Sequence, residues 1–101
     1  MAITAKQNPD RCPPHPGEVI DDLLDDLDYS KSAIAKMLNI SRQQLHAILA
    51  GRKPVSPEMA ARLGKLFGNG PGLWLRLQAA HDAWHVEREV DVSEVPSLEV
   101  A

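Results

Sequence analysis

The sequence predicts an all-α protein of five helices, and three observations lead to that fold class. Apolar residues recur at spacings of three and four, which is the period of a helix with one buried face. Serine, proline, asparagine and glycine separate these stretches at the positions where helices begin and end. No strand-rich region, internal repeat or low-complexity tract interrupts them. A chain of 101 residues is long enough for one domain with a single modest core.

The first predicted helix opens at Pro16 and Gly17 and has two opposed faces. The apolar face consists of Val19, Ile20, Leu23, Leu24 and Leu27. The other face carries the aspartates Asp21, Asp22, Asp25, Asp26 and Asp28. Such a helix packs its apolar face on a core and exposes its acids. Residues 1–14, before it, are predicted to form an extended arm.

The second and third predicted helices are joined by a turn of about three residues. Ser30 is a good N-cap for the second helix, and Asn39 tolerates the left-handed conformation that ends it. Ser41 caps the third helix, and Gln44 three residues later completes a capping box. Gly51 ends the third helix. Two short helices with a turn of this length are typical of a helix-turn-helix.

The fourth predicted helix runs from Ser56 to about Phe67, and the fifth begins at Gly70 and Pro71. The core-facing stripe of the fifth is predicted to be Leu73, Leu77, Ala80 and Trp84, with Trp74 and His81 at its border. A second apolar strip consists of Leu75, Ala79 and Ala83. Scattered surface residues would explain the second strip, but a second apolar strip on one helix favours packing against another partner. We therefore predict that a second copy of the chain packs here and that the strip is a dimer interface.

The tail, residues 89–101, is predicted to extend from the domain and to contribute to that interface. Val90, Val92 and Val95 alternate with polar residues over part of it. This short alternation is compatible with a short strand or with a flexible end.

Charge is divided unevenly along the chain. Residues 31–65 contain seven bases and one acid, a local charge of +6, whereas the segments before and after carry −5 and −4. A basic block of this kind is the electrostatic footprint of phosphate binding, and an unevenly charged solvated surface is the alternative.

No apolar run approaches the ~20 residues that span a bilayer, and the N-terminus has no signal-peptide core. The single cysteine, Cys12, cannot form an internal disulfide. These features predict a cytoplasmic protein.

The third helix has the composition of a DNA-reading helix. Its core side consists of Leu45, Ile48 and Leu49. Its outward side consists of Gln43, His46, Ala47 and Ala50, flanked by Arg42 and Gln44. Glutamine can pair with adenine and arginine with guanine, and small alanines let a helix enter the major groove. An ordinary helical hairpin is the alternative, but the coincidence with the basic block favours DNA binding.

Three motifs resemble the HigA-type antitoxins, or VapI group, of the XRE (phage-repressor) helix-turn-helix superfamily. They are HPGEVIDDLL at 15–24, IAKMLNISRQQLHAILAGRKPVSPEMAARLGKLFG at 34–68, and GLWLRLQAAHDAW at 72–84. The resemblance covers residues 15–88 and implies a five-helix phage-repressor-like domain there. It implies a non-enzymatic cytoplasmic antitoxin that needs no cofactor. Such a protein binds a RelE-like, mRNA-cleaving toxin of the HigB kind and represses their shared operon as a homodimer on palindromic DNA.

The resemblance also implies roles for individual residues. Its base-reading positions fall on Arg42, Gln43 and Ala47, with Gln44 and His46 alongside. Its backbone-contacting position falls on Lys31, and we predict further phosphate contacts from Ser41, Arg52 and Lys53. Two residues depart from the family pattern. Asn39 stands where glycine is usual, and Gly72 replaces an acidic residue, which weakens the start of the fifth helix slightly.

The acidic face of the first helix has two interpretations. A solvated face is the ordinary one. The other is a contact surface for a basic toxin, formed by Asp21, Asp22, Asp25 and Asp26. Because DNA phosphates would repel these acids, we expect them to lie away from the duplex.

Two rival functions have less support in the sequence. Cys12 and His15, with His81 and His85, imitate zinc-ligand spacing. However, His15 and His81 are 66 residues apart, the cysteine lies in a proline-rich segment, and His81 borders the core stripe, so no metal site is predicted. No nucleophile–base pair or glycine-rich phosphate loop indicates an enzyme. The remaining alternative is a stand-alone repressor of the same superfamily with no toxin partner.

Overall fold

The computed structural model describes residues 10–98, which form five helices and no strand in that range. The helices are α1 (Pro16–Asp25), α2 (Lys31–Leu38), α3 (Arg42–Leu49), α4 (Pro57–Phe67) and α5 (Gly72–Glu89). The predicted all-α class is therefore confirmed. Within this range no helix combines the length and apolar character that crossing a membrane requires.

The HPGE stretch begins α1 through a capping box built on histidine. The Nδ1 of His15 accepts a hydrogen bond from the backbone N–H of Gly17 at 2.9 Å. The Glu18 carboxylate accepts from the backbone N–H of His15 at 3.0 Å. Burial, together with the neighbouring His81, lowers the pKa of His15, which keeps its ring neutral and its Nδ1 free to accept. The sequence indicated this start through Pro16, but not the role of His15.

Three serines begin the next helices as predicted. The hydroxyl oxygens of Ser30, Ser41 and Ser56 each accept from a backbone N–H three residues later, at 3.0–3.1 Å. Each contact satisfies one of the N–H groups left without a partner in the first turn of a helix. By contrast, α5 begins at Gly72 with no side-chain cap, because its N-cap residue is Pro71, which has no side-chain acceptor.

The core lies where all five helices meet. Its fully buried members are Ile20, Ile34, Ala35, Leu38, Leu45, Ile48, Val55, Ala60, Leu63 and Trp74, with Leu24 nearly so. Ile20 and Leu24 of α1 and Leu45 and Ile48 of α3 are buried as predicted. The prediction is wrong for Leu23, which is 36% exposed, and for Leu27, which lies beyond the end of α1 and is 41% exposed. On α5 the predicted face is wrong: Trp74 is completely buried, whereas Ala80 is exposed. The helix is rotated so that Trp74 and Gln78 face inward.

A glycine permits the close approach of α1 to α3. A Cβ atom built on Gly17 would lie 1.9 Å from the carbonyl oxygen of Ile48. No side chain fits at that distance, so the two backbones pack directly against each other. The contact sets the position of the C-terminal end of α3 relative to the rest of the domain.

The segments that flank the helices are described in part. Residues 10–15 of the predicted arm lie before α1 without regular structure, and positions 1–9 fall outside the described residues. After α5, residues 90–98 form neither helix nor strand, and Val90, Val92 and Val95 are 54%, 62% and 68% exposed. Positions 99–101 also fall outside the described residues.

Candidate nucleic-acid interface

The turn between α2 and α3 has the geometry predicted for a helix-turn-helix. Asn39 adopts the left-handed conformation, with φ 60° and ψ 44°. The backbone N–H of Ile40 then donates to the carbonyl oxygen of Ala35 at 3.0 Å. These two features end α2 and redirect the chain within three residues, so that α3 starts at Arg42.

Arg62 of α4 holds this turn, a role that the sequence did not reveal. Its Nη1 donates to the carbonyl oxygens of Leu38 and Asn39, both at 3.1 Å. Its Nη2 lies 3.3 Å from the carboxylate of Glu58 one turn earlier. Arg62 therefore satisfies carbonyl oxygens at the end of α2. It belongs to the +6 block, but its guanidinium group binds the protein itself. The four-residue spacing from Glu58 was the one available signal, and it indicated only a surface ion pair.

The side of α3 that was predicted to face outward is exposed. Leu45 and Ile48 are buried, which fixes the rotation of the helix. Arg42, Gln43 and His46 are consequently exposed, and Ala47 is half-buried. A row of donors, acceptors and one small methyl thus faces away from the protein on a helix two turns long.

Gln44 differs from its neighbours because it belongs to the cap. Its Oε1 accepts from the backbone N–H of Ser41 at 2.9 Å, while the Ser41 hydroxyl accepts from the N–H of Gln44 at 3.0 Å. Pairing with adenine requires both the oxygen and the nitrogen of a glutamine amide. Gln44 would have to release the cap to read a base in this way, so its predicted reading role conflicts with its structural one.

The basic residues after α3 are positioned by the end of that helix. The carbonyl oxygen of Ala47 accepts from the N–H groups of Arg52 and Lys53, at 2.9 and 3.2 Å, and both side chains are exposed. Gly51 permits this path with a φ of 76°. Further along, the buried Gln78 of α5 accepts from the N–H of Val55 at 2.7 Å. The segment is thereby fixed at both ends.

The predicted phosphate contact at the start of α2 lies beside the acidic helix. Lys31 and Ser41 are both exposed, at the first residue of α2 and at the cap of α3. The ammonium of Lys31 is 3.6 Å from the carboxylate of Asp21. Asp21, which was expected to lie away from the duplex, thus contacts a residue that is predicted to bind phosphate. DNA phosphate and Asp21 would compete for the same ammonium group.

The helix-turn-helix family matches residues 20–74, which is more than half of the chain and includes α2, the turn and α3. The chain belongs to this family. An uncharacterised helix-turn-helix transcriptional regulator of Escherichia coli K12, YddM, is 35% identical over 85 residues, 84% of this chain and 90% of its own length. These likenesses make the chain a regulator and not an enzyme.

Solved structures of similar proteins confirm the resemblance to HigA-type antitoxins. A candidate antidote protein of a plasmid maintenance system from Nostoc punctiforme is 44% identical, with a TM-score of 0.75 over 77% of this chain and 86% of that one. The Pseudomonas aeruginosa antitoxin HigA, solved with the higBA promoter, is 29% identical, with a TM-score of 0.66 over 80% and 98%. The helix-turn-helix protein thus has the fold of an antitoxin-like repressor.

The other predicted surfaces of the helix-turn-helix protein are exposed but lie on different elements. Asp22 and Asp25 are exposed on α1, Asp26 is exposed at its C-cap, and Asp21 is half-buried. On α5, Ala79 and Ala83 are exposed and Leu75 is 36% exposed. Val86, 51% exposed, extends the same strip, because eleven residues are close to three helical turns from Leu75. Val86 was not predicted, because the strip that the sequence indicates ends at Ala83.

The fold brings together three of the four residues whose spacing imitates zinc ligands: Cys12, His81 and His85. The Sγ of Cys12 lies 3.5 Å from the Nε2 of His85 and 3.7 Å from the Nδ1 of His81. Their separation along the chain was the main reason to predict no metal site, and the fold removes that reason. His15 is not part of this cluster, since its Nδ1 caps α1, although its ring contacts that of His81 edge-on at 5.1 Å.

Proposed function

We propose that this protein is a homodimeric, sequence-specific repressor of its own operon. We propose further that it is the antitoxin for a RelE-like, mRNA-cleaving toxin of the HigB kind, and that it acts in the cytoplasm. The observation that carries the first part is the outward side of α3. Two exposed long polar side chains, Arg42 and Gln43, lie on a capped helix whose rotation is fixed by Leu45 and Ile48.

Each group on this side has a specific role in the proposed complex. Arg42 and Gln43 would donate to and accept from base edges in the major groove, while the methyl group of Ala47 would contact thymine. His46 lies next to them. Lys31, Ser41, Arg52 and Lys53 would contact phosphates and set the register of the helix in the groove. We assign Gln44 to the cap and not to a base.

The likeness to an antidote protein and to a promoter-bound HigA supports the antitoxin part of the proposal. The experiment is co-expression with each short open reading frame adjacent to this gene. We expect one product to co-purify with the protein and the complex to footprint a palindrome upstream of the two genes. A footprint without a co-purifying product would identify a stand-alone repressor. Absence of any footprint would refute the repressor itself.

Dimerisation through the exposed strip of α5 is tested by placing a charge on it. Leu75→Glu should shift the protein towards the monomer, because it buries a carboxylate in the proposed interface. Ala80→Glu is the matched control, since Ala80 is exposed on α5 outside the strip. Multi-angle light scattering at micromolar concentration reports the mass of both variants. A Leu75→Glu protein that remains dimeric would locate the interface elsewhere.

The acidic face of α1 is the proposed docking surface for the toxin, because a ribonuclease that binds polyanions carries a basic groove. Asp22→Asn, Asp25→Asn and Asp26→Asn together should slow toxin association and reduce its dependence on salt. Asp21 is left intact because of its contact with Lys31. The control is Glu87→Gln with Asp91→Asn and Glu94→Gln, which changes net charge equally at exposed positions. Equal stopped-flow rates for the two triple variants would exclude α1 as the docking surface.

A further inference from the structure

We propose that Cys12, His81 and His85 form a binding site for a zinc ion that fastens the N-terminal segment to α5. One ligand atom from each residue lies within 4.8 Å of the other two, and all three residues are half-buried. The site is separate from the outward side of α3 and from the exposed strip of α5. It adds a ligand-dependent contact to the domain.

The two sulfur–nitrogen distances fit tetrahedral zinc. Zinc binds thiolate sulfur at about 2.3 Å and imidazole nitrogen at about 2.0 Å, so neighbouring sulfur and nitrogen ligands lie about 3.5 Å apart. The two observed separations from the Cys12 sulfur are 3.5 and 3.7 Å. His81 and His85 are four residues apart on one helix, which brings their ring centroids to 4.6 Å. Adjustment of the two imidazoles would complete three corners of the tetrahedron.

The groups around the ligands also fit a metal site. The Nδ1 of His85 lies 2.5 Å from the Glu89 carboxylate, which leaves its Nε2 directed at the thiol. A carboxylate bound to the far nitrogen of a metal-binding histidine fixes its tautomer and makes it a stronger ligand. By contrast, the Nδ1 of His81 donates to the carbonyl oxygen of Pro13 at 2.8 Å. This nitrogen is also the one nearest the thiol, so zinc bound through it would shift the ring proton to Nε2 and replace this hydrogen bond.

The chemistry of the ligands selects the metal. One thiolate and two imidazoles suit zinc better than magnesium or calcium, which prefer oxygen ligands. Binding releases the thiol proton to solvent, and a water molecule takes the fourth position. A cysteine–histidine pair acting as a reactive nucleophile is the rival interpretation. That chemistry needs one base beside the sulfur, whereas here two imidazoles flank it.

The zinc ion would close a large loop. Cys12 is separated from His81 and His85 by 69 and 73 positions, so one ion would connect the start of the domain to its last helix. A crosslink over so many residues restricts the unfolded chain strongly. Because the site forms only in the folded protein, zinc should raise the melting temperature.

The test uses the full chain without an affinity tag, stripped of metal and kept reduced. Titration with zinc should show one ion per chain with a Kd below ~1 µM. Cobalt(II) should give a thiolate charge-transfer band and the intense visible bands of a tetrahedral complex. Saturating zinc should raise the melting temperature by about 10 °C.

Variants identify the ligands. Cys12→Ser and His85→Gln should each weaken zinc binding at least tenfold and abolish or alter the cobalt spectrum. His46→Gln, which changes an exposed histidine on α3, should bind zinc as the parent does. Circular dichroism of the metal-free variants checks that each is folded. Zinc binding that is unchanged in Cys12→Ser, or parent protein that binds no zinc at micromolar concentration, would overturn the proposal.

Discussion

Helices α3 and α5 use the same kinds of polar side chain in opposite ways. The glutamine of α3 that faces outward, Gln43, is exposed, whereas Gln78 of α5 is 7% exposed and holds Val55. The caps of α3 come from residues beside it in the chain, while α5 has no side-chain cap and is held by distant contacts. The two helices therefore differ in role. The short helix exposes its polar groups to solvent, and the long helix fixes the segment around Val55.

The largest expected effect is on the free energy of unfolding and concerns the two tryptophans of α5. Trp74 is fully buried and donates to Asn69 at 3.1 Å, so Trp74→Ala should lower the free energy of unfolding by about 3–5 kcal/mol. Trp84 is half-buried beneath the Arg88 guanidinium, and Trp84→Ala should cost about 1 kcal/mol. Urea denaturation measures both values. A larger loss for Trp84→Ala would mean that the rotation of α5 is the one predicted from sequence.

Substituting the two glutamines separates a role in DNA recognition, proposed for Gln43, from a role in stability, expected for Gln78. Gln78→Ala removes the partner of a buried N–H and should cost about 1–3 kcal/mol of stability. Gln43→Ala should change stability by less than about 0.5 kcal/mol. It should nevertheless weaken specific operator binding by about 1–3 kcal/mol per half-site and relax preference at one or two base pairs. Gel-shift titration with operator and scrambled DNA separates these effects, and unchanged specificity in Gln43→Ala would show that α3 is not the reader.

Other features of the fold differ in how well the sequence predicts them. Helix starts depend on one serine and the next three residues, so Ser30, Ser41 and Ser56 were predicted correctly. The rotation of α5 was not, because Leu73, Leu77 and Trp84 offer an equally regular apolar stripe. The amide nitrogen of the buried Gln78 donates to Asp82 one turn later, but its oxygen accepts from Val55, which is distant in the chain. Periodicity contains no information about such a contact.

In the candidate interface, too, local patterns predict which residues are exposed but not which distant residues they contact. The outward position of Arg42 and Gln43 followed from the spacing of Leu45 and Ile48, and the structure agrees. The hydrogen bonds from Arg62 to the carbonyl oxygens of the turn could not be predicted. A count of charges in a segment does not show whether a side chain faces solvent or protein. The approach of Cys12 to His85 depends on how the N-terminal segment crosses α5, which no local pattern specifies.

The smallest effect concerns the edge of the interface. Lys31→Ala should weaken binding to operator and scrambled DNA about equally, because a phosphate contact is insensitive to sequence. The slope of log affinity against log salt should fall by about 1 per protomer. Arg76→Ala removes the same charge from α5 and should leave the slope unchanged. Salt titrations of both variants by fluorescence anisotropy decide the matter, and equal slopes would remove Lys31 from the interface.

The hydrogen bond between Gln78 and Val55 has a consequence for amide exchange. Val55 lies in an irregular segment, where backbone amides normally exchange with solvent through small local openings. Its N–H is instead buried and bonded to a side chain of α5 at 2.7 Å. Exchange at this position requires α5 to separate from the segment that follows α3. The Val55 amide should therefore exchange as slowly as the amides of the helical core, and its protection would report directly on the docking of α5.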